Sequence, residues 1–367
     1  MKPHYGPEFC KPYFEVVEKL KKISGDKSMT GKDKIHAAVR GEFLESIPCA
    51  PMIIRFAAAH NGVNLRDYFL NAELFAECHI KIAMDFDLDG IMLASEPTRV
   101  VKALGGKVEY LDNNIPHVCE PLIRDEKDLN KLHIPDFSDY SNRMGNLVEA
   151  AEHILKNNSS QKSVFGWADA PFAEACNMLT VGNMLMVLYD NPSFAHRLLE
   201  FNTKLIIAFL EAQAALGCDI LAIGDAAASL LSPPMYAEFA FPYEVEIIKH
   251  FHTKNIPLKL HMCGNNTDKL DKIVTTGIDI LNVDQMTDIH KARVLSPGLC
   301  LKGNIDPVNV MKYGTPESVY IKCSELIKAI GPESYILSGG CELPPDMPPE
   351  NLRAMVKCAH EKRSWQR

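Results

Sequence analysis

A chain of 367 residues, 47% hydrophobic and 23% charged, carries enough apolar side chain to bury one large core or two ordinary ones, which excludes a disordered protein. A net charge of −8 with interspersed signs, and no basic stripe with interleaved aromatics, excludes a nucleic-acid surface. No apolar run reaches membrane-span length, Met1 to Tyr5 carries no charged-then-apolar leader, and eleven cysteines are scattered singly, so a cytoplasmic chain with reduced thiols is expected.

In chain order, Tyr13, Val16, Val17, Leu20 and Ile23 recur at helical spacing and stop at Ser24-Gly25, so residues 1–30 are expected to form a helical extension to a domain spanning 31–367. Thr30 with Asp33 reads as a capping box opening a helix through Val39. From there strands and helices alternate. Eight strand candidates run Ala50 to Ile54, Gly90 to Ala94, Ser163 to Trp167, Asp219 to Gly224, Pro257 to Leu260, Asp279 to Val283, Leu299 to Lys302 and Ser334 to Ser338. Helical patterns lie between them, at Leu74 to Met84, Leu147 to Leu155, Phe194 to Ala215, Tyr236 to Phe251, Leu270 to Thr275, Glu317 to Ala329 and Leu352 to His360. Gly217-Cys218-Asp219-Ile220-Leu221 echoes Gly277-Ile278-Asp279-Ile280-Leu281, a helix-ending glycine followed by a strand. Eight such units predict an α/β fold of the closed (β/α)₈, or TIM, barrel type. No dinucleotide or Walker glycine fingerprint is present. The long connection from Glu96 to Asn146, with a hairpin arm near Val108 to Leu111, is expected to cover part of the barrel mouth.

The residues just past the strands are Arg55, Glu96, Asp169, Asp225, His261 with Cys263, Asp284, Asn304, and Cys341 with Glu342. In a barrel all of them lie at the C-terminal face, where loops build the active site. His261 and Cys263 are two apart and share a face of an extended strand, and imidazole with thiolate suits zinc. Such a pair alone is more often core filling, but Cys341 adds a thiol past another buried strand, and three soft donors leave one position open, as catalytic zinc requires. Asp284 is badly placed to cap the segment Asp288 to Leu295, so a site role is favoured, such as an exchangeable fourth ligand. Asp225 is read equally as a helix cap or a substrate contact, Asp306 as an N-cap, and Arg55 as holding an anionic substrate or a neighbouring carboxylate. Asn265 and Asn304 are candidates to orient His261 or the substrate, and Trp167 and Tyr243 fit a pocket wall or plain packing.

Taken together, His261-x-Cys263-Gly264-Asn265, Gly303-Asn304-Ile305-Asp306-Pro307, Gly340-Cys341-Glu342-x-Pro344 and Ser95-Glu96-Pro97 resemble the uroporphyrinogen-decarboxylase-like superfamily over about residues 30 to 365. The closer resemblance is to its zinc- and corrinoid-dependent methyltransferase branch, which includes methylcobamide:thiol methyltransferases and bacterial O-demethylase methyltransferases. That likeness implies zinc on His261, Cys263 and Cys341, with Asp284 the carboxylate that approaches the metal. From their places at the strand ends, Arg55, Glu96, Asp169, Asn265 and Asn304 are expected as substrate contacts, and Asp284 and Asp225 as catalytic groups. True decarboxylases of this superfamily carry an Arg-Gln-Ala-Gly-Arg segment near the first strand. Here the region reads Arg55-Phe56-Ala57-Ala58-Ala59-His60, and an acidic tetrapyrrole wants more cations than that. The implied activity is methyl transfer between a small methylated substrate, with a methyl ether favoured, and the cobalt of a corrinoid. No Asp-x-His-x-x-Gly corrinoid motif occurs, so a partner corrinoid protein is expected to supply the cobalt. A thiol methyltransferase of the coenzyme M type, a metal-free decarboxylase using Asp225 or Glu96 as proton donor, and a non-catalytic barrel that docks a corrinoid protein or stores zinc are the alternatives.

Overall fold

A computed structural model describes residues 29–94, 96–159 and 161–362. The expected N-terminal helix and Ser95 lie outside the described residues. Thr30 caps the helix Gly31–Val39 in the expected manner, its hydroxyl accepting from Asp33 N–H and the Asp33 carboxylate accepting from Thr30 N–H.

Seven strands form one parallel, curled sheet, a TIM-like α/β architecture. They are β1 (Gly90–Met92), β4 (Ser163–Asp169), β5 (Ile220–Gly224), β6 (Leu258–Met262), β7 (Ile280–Val283), β8 (Cys300–Ile305) and β9 (Tyr335–Gly339), adjacent in chain order. The missing pair of that count, β2 (Val108–Glu109) and β3 (His117–Val118), is a two-stranded antiparallel ribbon in the connection that follows β1, where the hairpin arm was expected.

The first of the eight expected strands, Ala50 to Ile54, does not form. Residues 48–50 nevertheless occupy its place, because Leu337 N–H donates to Pro48 O, Ala50 N–H to Leu337 O, and Asp89 N–H to Cys49 O. Cys49 makes an isolated parallel bridge to Leu337. Alternation gives the N–H of residue 51 to the β1 side, and Pro51 has none, so the ladder stops and a helix begins at Arg55.

The inside and outside of the barrel follow from register. Trp167 pairs with Ala222 and Ala222 with Lys259, while Asp169 pairs with Gly224 and Gly224 with His261. His261 in turn pairs with Asn282 and Asn282 with Lys302. Residues of this phase point inward, and their neighbours Leu221, Ile223, Leu258, Leu260 and Leu281 pack under the helices in the apolar layer. Gly224 matters here by lacking a side chain, since a Cβ would stand 2.5 Å from the Trp167 ring. The interior thus holds two fully buried lysines. Lys259 Nζ lies 4.7 Å from the Trp167 ring and 3.5 Å from Met92 Sδ. Lys302 Nζ donates to Asn282 Oδ1 at 2.9 Å and Ser338 Oγ at 2.8 Å. Burial holds the Lys302 ammonium down to about 7.

At the opposite end, the sequence echo has a common structural role. Gly217 and Gly277 take the left-handed conformation (φ 111° and 85°) that ends each preceding turn. The aspartate two residues on then accepts a backbone N–H from the neighbouring strand, Asp219 from Val164 and Asp279 from Leu258. Asp89 does the same for Cys49 N–H at the seam.

Most expected helices are present with longer ends, as in Ala72–Asp85, Arg143–Asn157 and Pro192–Leu216. The expected helix from Tyr236 to Phe251 is two, Pro233–Phe239 and Phe241–His252, because Pro242 interrupts the ladder. No helix among the described residues is long and apolar enough to cross a membrane.

Candidate functional site

The inward end of β6 delivers His261, and two residues on, where the strand has just stopped, Cys263 follows on the same face. Cys341 arrives from the turn after β9. His261 Nε2 lies 3.1 Å from Cys263 Sγ, and Cys263 Sγ lies 3.7 Å from Cys341 Sγ, so all three donors fall within 4.8 Å of one another. His261 is buried and the two thiols are half-buried.

Three observations test whether this trio fits zinc. The two sulfurs are separated by close to the edge of a zinc tetrahedron, about 3.8 Å for Zn–S bonds of about 2.3 Å. His261 Nδ1 faces the Asn282 carbonyl at 3.2 Å, and a carbonyl only accepts, so Nδ1 carries the hydrogen and Nε2 turns its lone pair to the thiols. The hydrogen bond with Cys263 pulls the Cys341 thiol below its ordinary range, while that contact and burial drive the Cys263 thiol up. The two sulfurs thus titrate as a pair, with Cys341 the readier of the two to give up its proton to a metal. The residues fit the ion.

The turn that carries Cys263 is braced by a residue the sequence reasoning passed over. Asn266 Nδ2 donates to Cys263 O (3.0 Å) and Gly264 O (3.3 Å), its N–H donates to Thr287 Oγ1 (2.8 Å), and that hydroxyl donates to Gly264 O (2.8 Å). Asn265, the expected contact, is exposed, and its Oδ1 accepts from Thr267 N–H at 3.1 Å. Asn304 does act behind the site, with Nδ2 donating to the backbone carbonyls of Asp284 and Thr287. Asn282 and Lys302 also escaped notice, because both sit mid-strand, where sequence pattern predicts only packing.

Asp284 lies beside the trio but not within its donor set. Its Oδ1 accepts from Met286 N–H at 2.8 Å, and burial raises the carboxyl against that bond. Arg55 takes the second of its two expected roles, gripping Glu342 through Nε (3.0 Å), Nη2 (3.2 Å) and its own N–H (2.9 Å). The clamp fixes the residue next to Cys341. Glu96 is fully committed, one oxygen to Arg99 (2.9 Å) and the other to Arg143 (2.5 Å), all three buried.

Asp169 ends β4 on the inward face, and its Oδ1 accepts from Trp167 Nε1 at 3.2 Å. Burial pushes its carboxyl up to about 7, with the Glu96 charge adding to the effect, and Glu174 alongside is also raised by burial. The two line a small cavity with Glu96, Arg99, Trp167 and Phe209. Asp225 is placed outside the mouth. Its neighbour Gly224 faces inward, so alternation turns Asp225 out beneath the helix Phe241–His252, fully buried beside Glu244. Glu244 accepts from Tyr236 O–H at 2.5 Å. Tyr243 packs on the helical layer with its hydroxyl on His196, so of the two aromatics only Trp167 lies inside the barrel.

Similarity to known proteins agrees with this geometry at the level of the fold. The structure is similar to a methyltransferase from Methanosarcina mazei, with a TM-score of 0.81 at 22% identity, covering 90% of this chain and 98% of that one. Among characterised sequences, it is 29% identical over 302 residues to uroporphyrinogen decarboxylase from Chlorobium phaeovibrioides, covering 79% of this chain and 84% of that protein. It is 26% identical over 297 residues to the enzyme of the same name from Vesicomyosocius okutanii, covering 78% and 84%. The family model described as uroporphyrinogen decarboxylase (URO-D) matches residues 30–362, nearly the whole described barrel, and the chain accordingly belongs to that family.

Proposed function

We propose that this chain is a zinc-dependent methyltransferase that moves a methyl group between a small methylated substrate, a methyl ether in the favoured reading, and the cobalt of a corrinoid protein. The observation that carries the reading is the convergence of His261, Cys263 and Cys341 at one half-buried point of the barrel mouth, with Nε2 3.1 Å from Cys263 Sγ and the two sulfurs 3.7 Å apart. Zinc bound there would act as a Lewis acid on the heteroatom of the methylated donor and improve it as a leaving group.

The chain's own residues supply the rest. Asn282 holds the His261 tautomer, Asn266 and Thr287 hold the turn of Cys263, and the Arg55–Glu342 clamp holds the approach of Cys341. Asp169, whose carboxyl burial raises to about 7 and whose Oδ1 accepts from Trp167, is the group assigned to give a proton to a departing alkoxide. An alkoxide leaving group needs that proton, which favours an ether donor over a thiol acceptor.

Family membership alone would suggest decarboxylation of uroporphyrinogen. The side chains argue against it, since Arg55 is spent on Glu342, and Arg99 and Arg143 on Glu96, which commits these three guanidinium groups before a polycarboxylate arrives. The test is a screen of methylated donors with reduced corrinoid, following the cobalt absorption change. Methyl-corrinoid formation, lost in Cys263→Ser and Cys341→Ser, is expected. Carbon dioxide release from uroporphyrinogen with no methyl transfer would overturn the proposal, and methylation of a thiol from methyl-corrinoid would reassign the substrate.

A further inference from the structure

Of the ten described cysteines seven are buried, and only Cys263, Cys341 and Cys119 are not. The first two stand in the donor trio already described. Cys119 stands in another. It follows His117 in a second His-x-Cys sequence, and it too runs along an extended ribbon, where alternation puts imidazole and thiol on one face.

The ribbon completes the set. Register places Glu109 of β2 directly across from His117 of β3, and Cys119 N–H donates to Lys107 O at 2.9 Å, so the pairing continues past the strand end. Glu109 Oε2 lies 3.2 Å from His117 Nε2, and the carboxylate, imidazole and thiol donors all fall within 4.8 Å of one another. A cross-strand ion pair explains Glu109 and His117. It leaves unexplained why the chain's one exposed described thiol sits against that pair when the other thiols outside the trio at the mouth are buried.

We propose that Glu109, His117 and Cys119 form a second metal site, for zinc or another soft divalent cation, on the ribbon that follows β1. Nitrogen, sulfur and oxygen donors of these types sit about 2.0 to 2.3 Å from zinc, so neighbouring donors in a tetrahedron are about 3.3 to 3.8 Å apart. The exposed side chains reach that by small rotations, and the fourth position faces solvent. The site is weaker than the one at the mouth, because its three side chains are exposed and lose more freedom when they close on the ion.

The inference is independent of the proposed activity, and the experiment keeps the two apart. Zinc content is measured after equilibration with buffered micromolar zinc, with melting temperature followed in parallel. Wild type is expected to bind two equivalents, Cys119→Ser and His117→Ala one each, and Cys263→Ser/Cys341→Ser one. Cobalt added to the last variant should give thiolate-to-cobalt absorption that disappears when Cys119→Ser is added. His117 and Cys119 are on the surface, so both single variants should melt within a degree or two of wild type. A Cys119→Ser protein that binds as much zinc as wild type, or a Cys263→Ser/Cys341→Ser protein without cobalt–thiolate absorption, would overturn the second site. Should the mouth hold no zinc, the loss on Cys119→Ser would still report the ribbon.

Discussion

Replacing Gly340 with alanine should loosen metal binding without touching a ligand. Gly340 is where the turn bearing Cys341 crosses the loop that follows β7. A Cβ there would lie 2.3 Å from Gln285 N, 2.8 Å from Gln285 Oε1 and 3.0 Å from the Asp284 carbonyl carbon. The side-chain oxygen can swing aside, but the two backbone atoms cannot. Restoring an ordinary contact of 3.4 Å means one loop retreating by about 1 Å. Gly340 N–H is bonded to Ile305 O at 2.9 Å and Glu342 is clamped by Arg55, so the displacement falls largely on the residue between them, Cys341. Its sulfur, now 3.7 Å from that of Cys263, would move well beyond a tetrahedral edge of about 3.8 Å. Disturbing the support of a ligand costs about 10- to 100-fold in metal affinity, and overpacking costs about 1–3 kcal/mol in stability. Chelator competition for zinc, run beside thermal melts, measures both. A Gly340→Ala protein that melts lower yet holds zinc as tightly as wild type would refute the claim that this crossing sets the separation of the sulfurs.

Three further outcomes follow from the buried charges. Lys302 is depressed from 10.5 to about 7, which at about 1.4 kcal/mol per unit is ~5 kcal/mol. That penalty is full below pH 7, where folded and unfolded chains are both protonated. It fades as pH rises from 7 toward 10.5. Lys302→Met, which leaves Asn282 Oδ1 unpaired at about 1–3 kcal/mol, should therefore stabilise the protein at pH 6 and lose that advantage by pH 9.5, as followed by melting temperature across pH. Asp169 has the opposite sign. Its carboxyl, raised to about 7, weakens the fold as pH climbs from 4 to 7, so Asp169→Asn should raise the melting temperature more at pH 8 than at pH 4. Glu96→Gln strands two buried guanidinium groups and should destabilise the fold by about 3–5 kcal/mol, read by denaturant unfolding.

The barrel was legible because its strands end on chemistry. Apolar runs stop at His261, Asp284, Asn304 and Cys341, and the glycines at 217 and 277 mark where each new unit begins. What the linear pattern could not reveal was direction. Asp225 and Asp169 both follow strands, yet one residue of phase sends Asp225 under the helices while Asp169 stays inside. Pairing was equally hidden, because nothing near Glu96 in sequence announces Arg143, 47 residues on, and nothing near Arg55 announces Glu342. The choice between Asn265 and Asn266 rests on the left-handed turn at Gly264, which aims the second amide, not the first, back at the Cys263 carbonyl. Lys259 and Lys302 look from sequence like interruptions of a strand, and only closure of the barrel makes them its interior.

One part of the wall is fastened differently from the rest. Between β9 and β1, residues 48–50 hold on through three main-chain hydrogen bonds and the Asp89 carboxylate, whereas the neighbouring staves are laced along their length. A cylinder joined so briefly parts along that join first when heated, and amide exchange there should outpace exchange in β5 and β6. The stave carrying Cys341 borders the join, while the one carrying His261 and Cys263 stands three places away. Whatever grips both thiols thus anchors the loose-edged stave to a firm one and reinforces the weakest line of the wall from a distance.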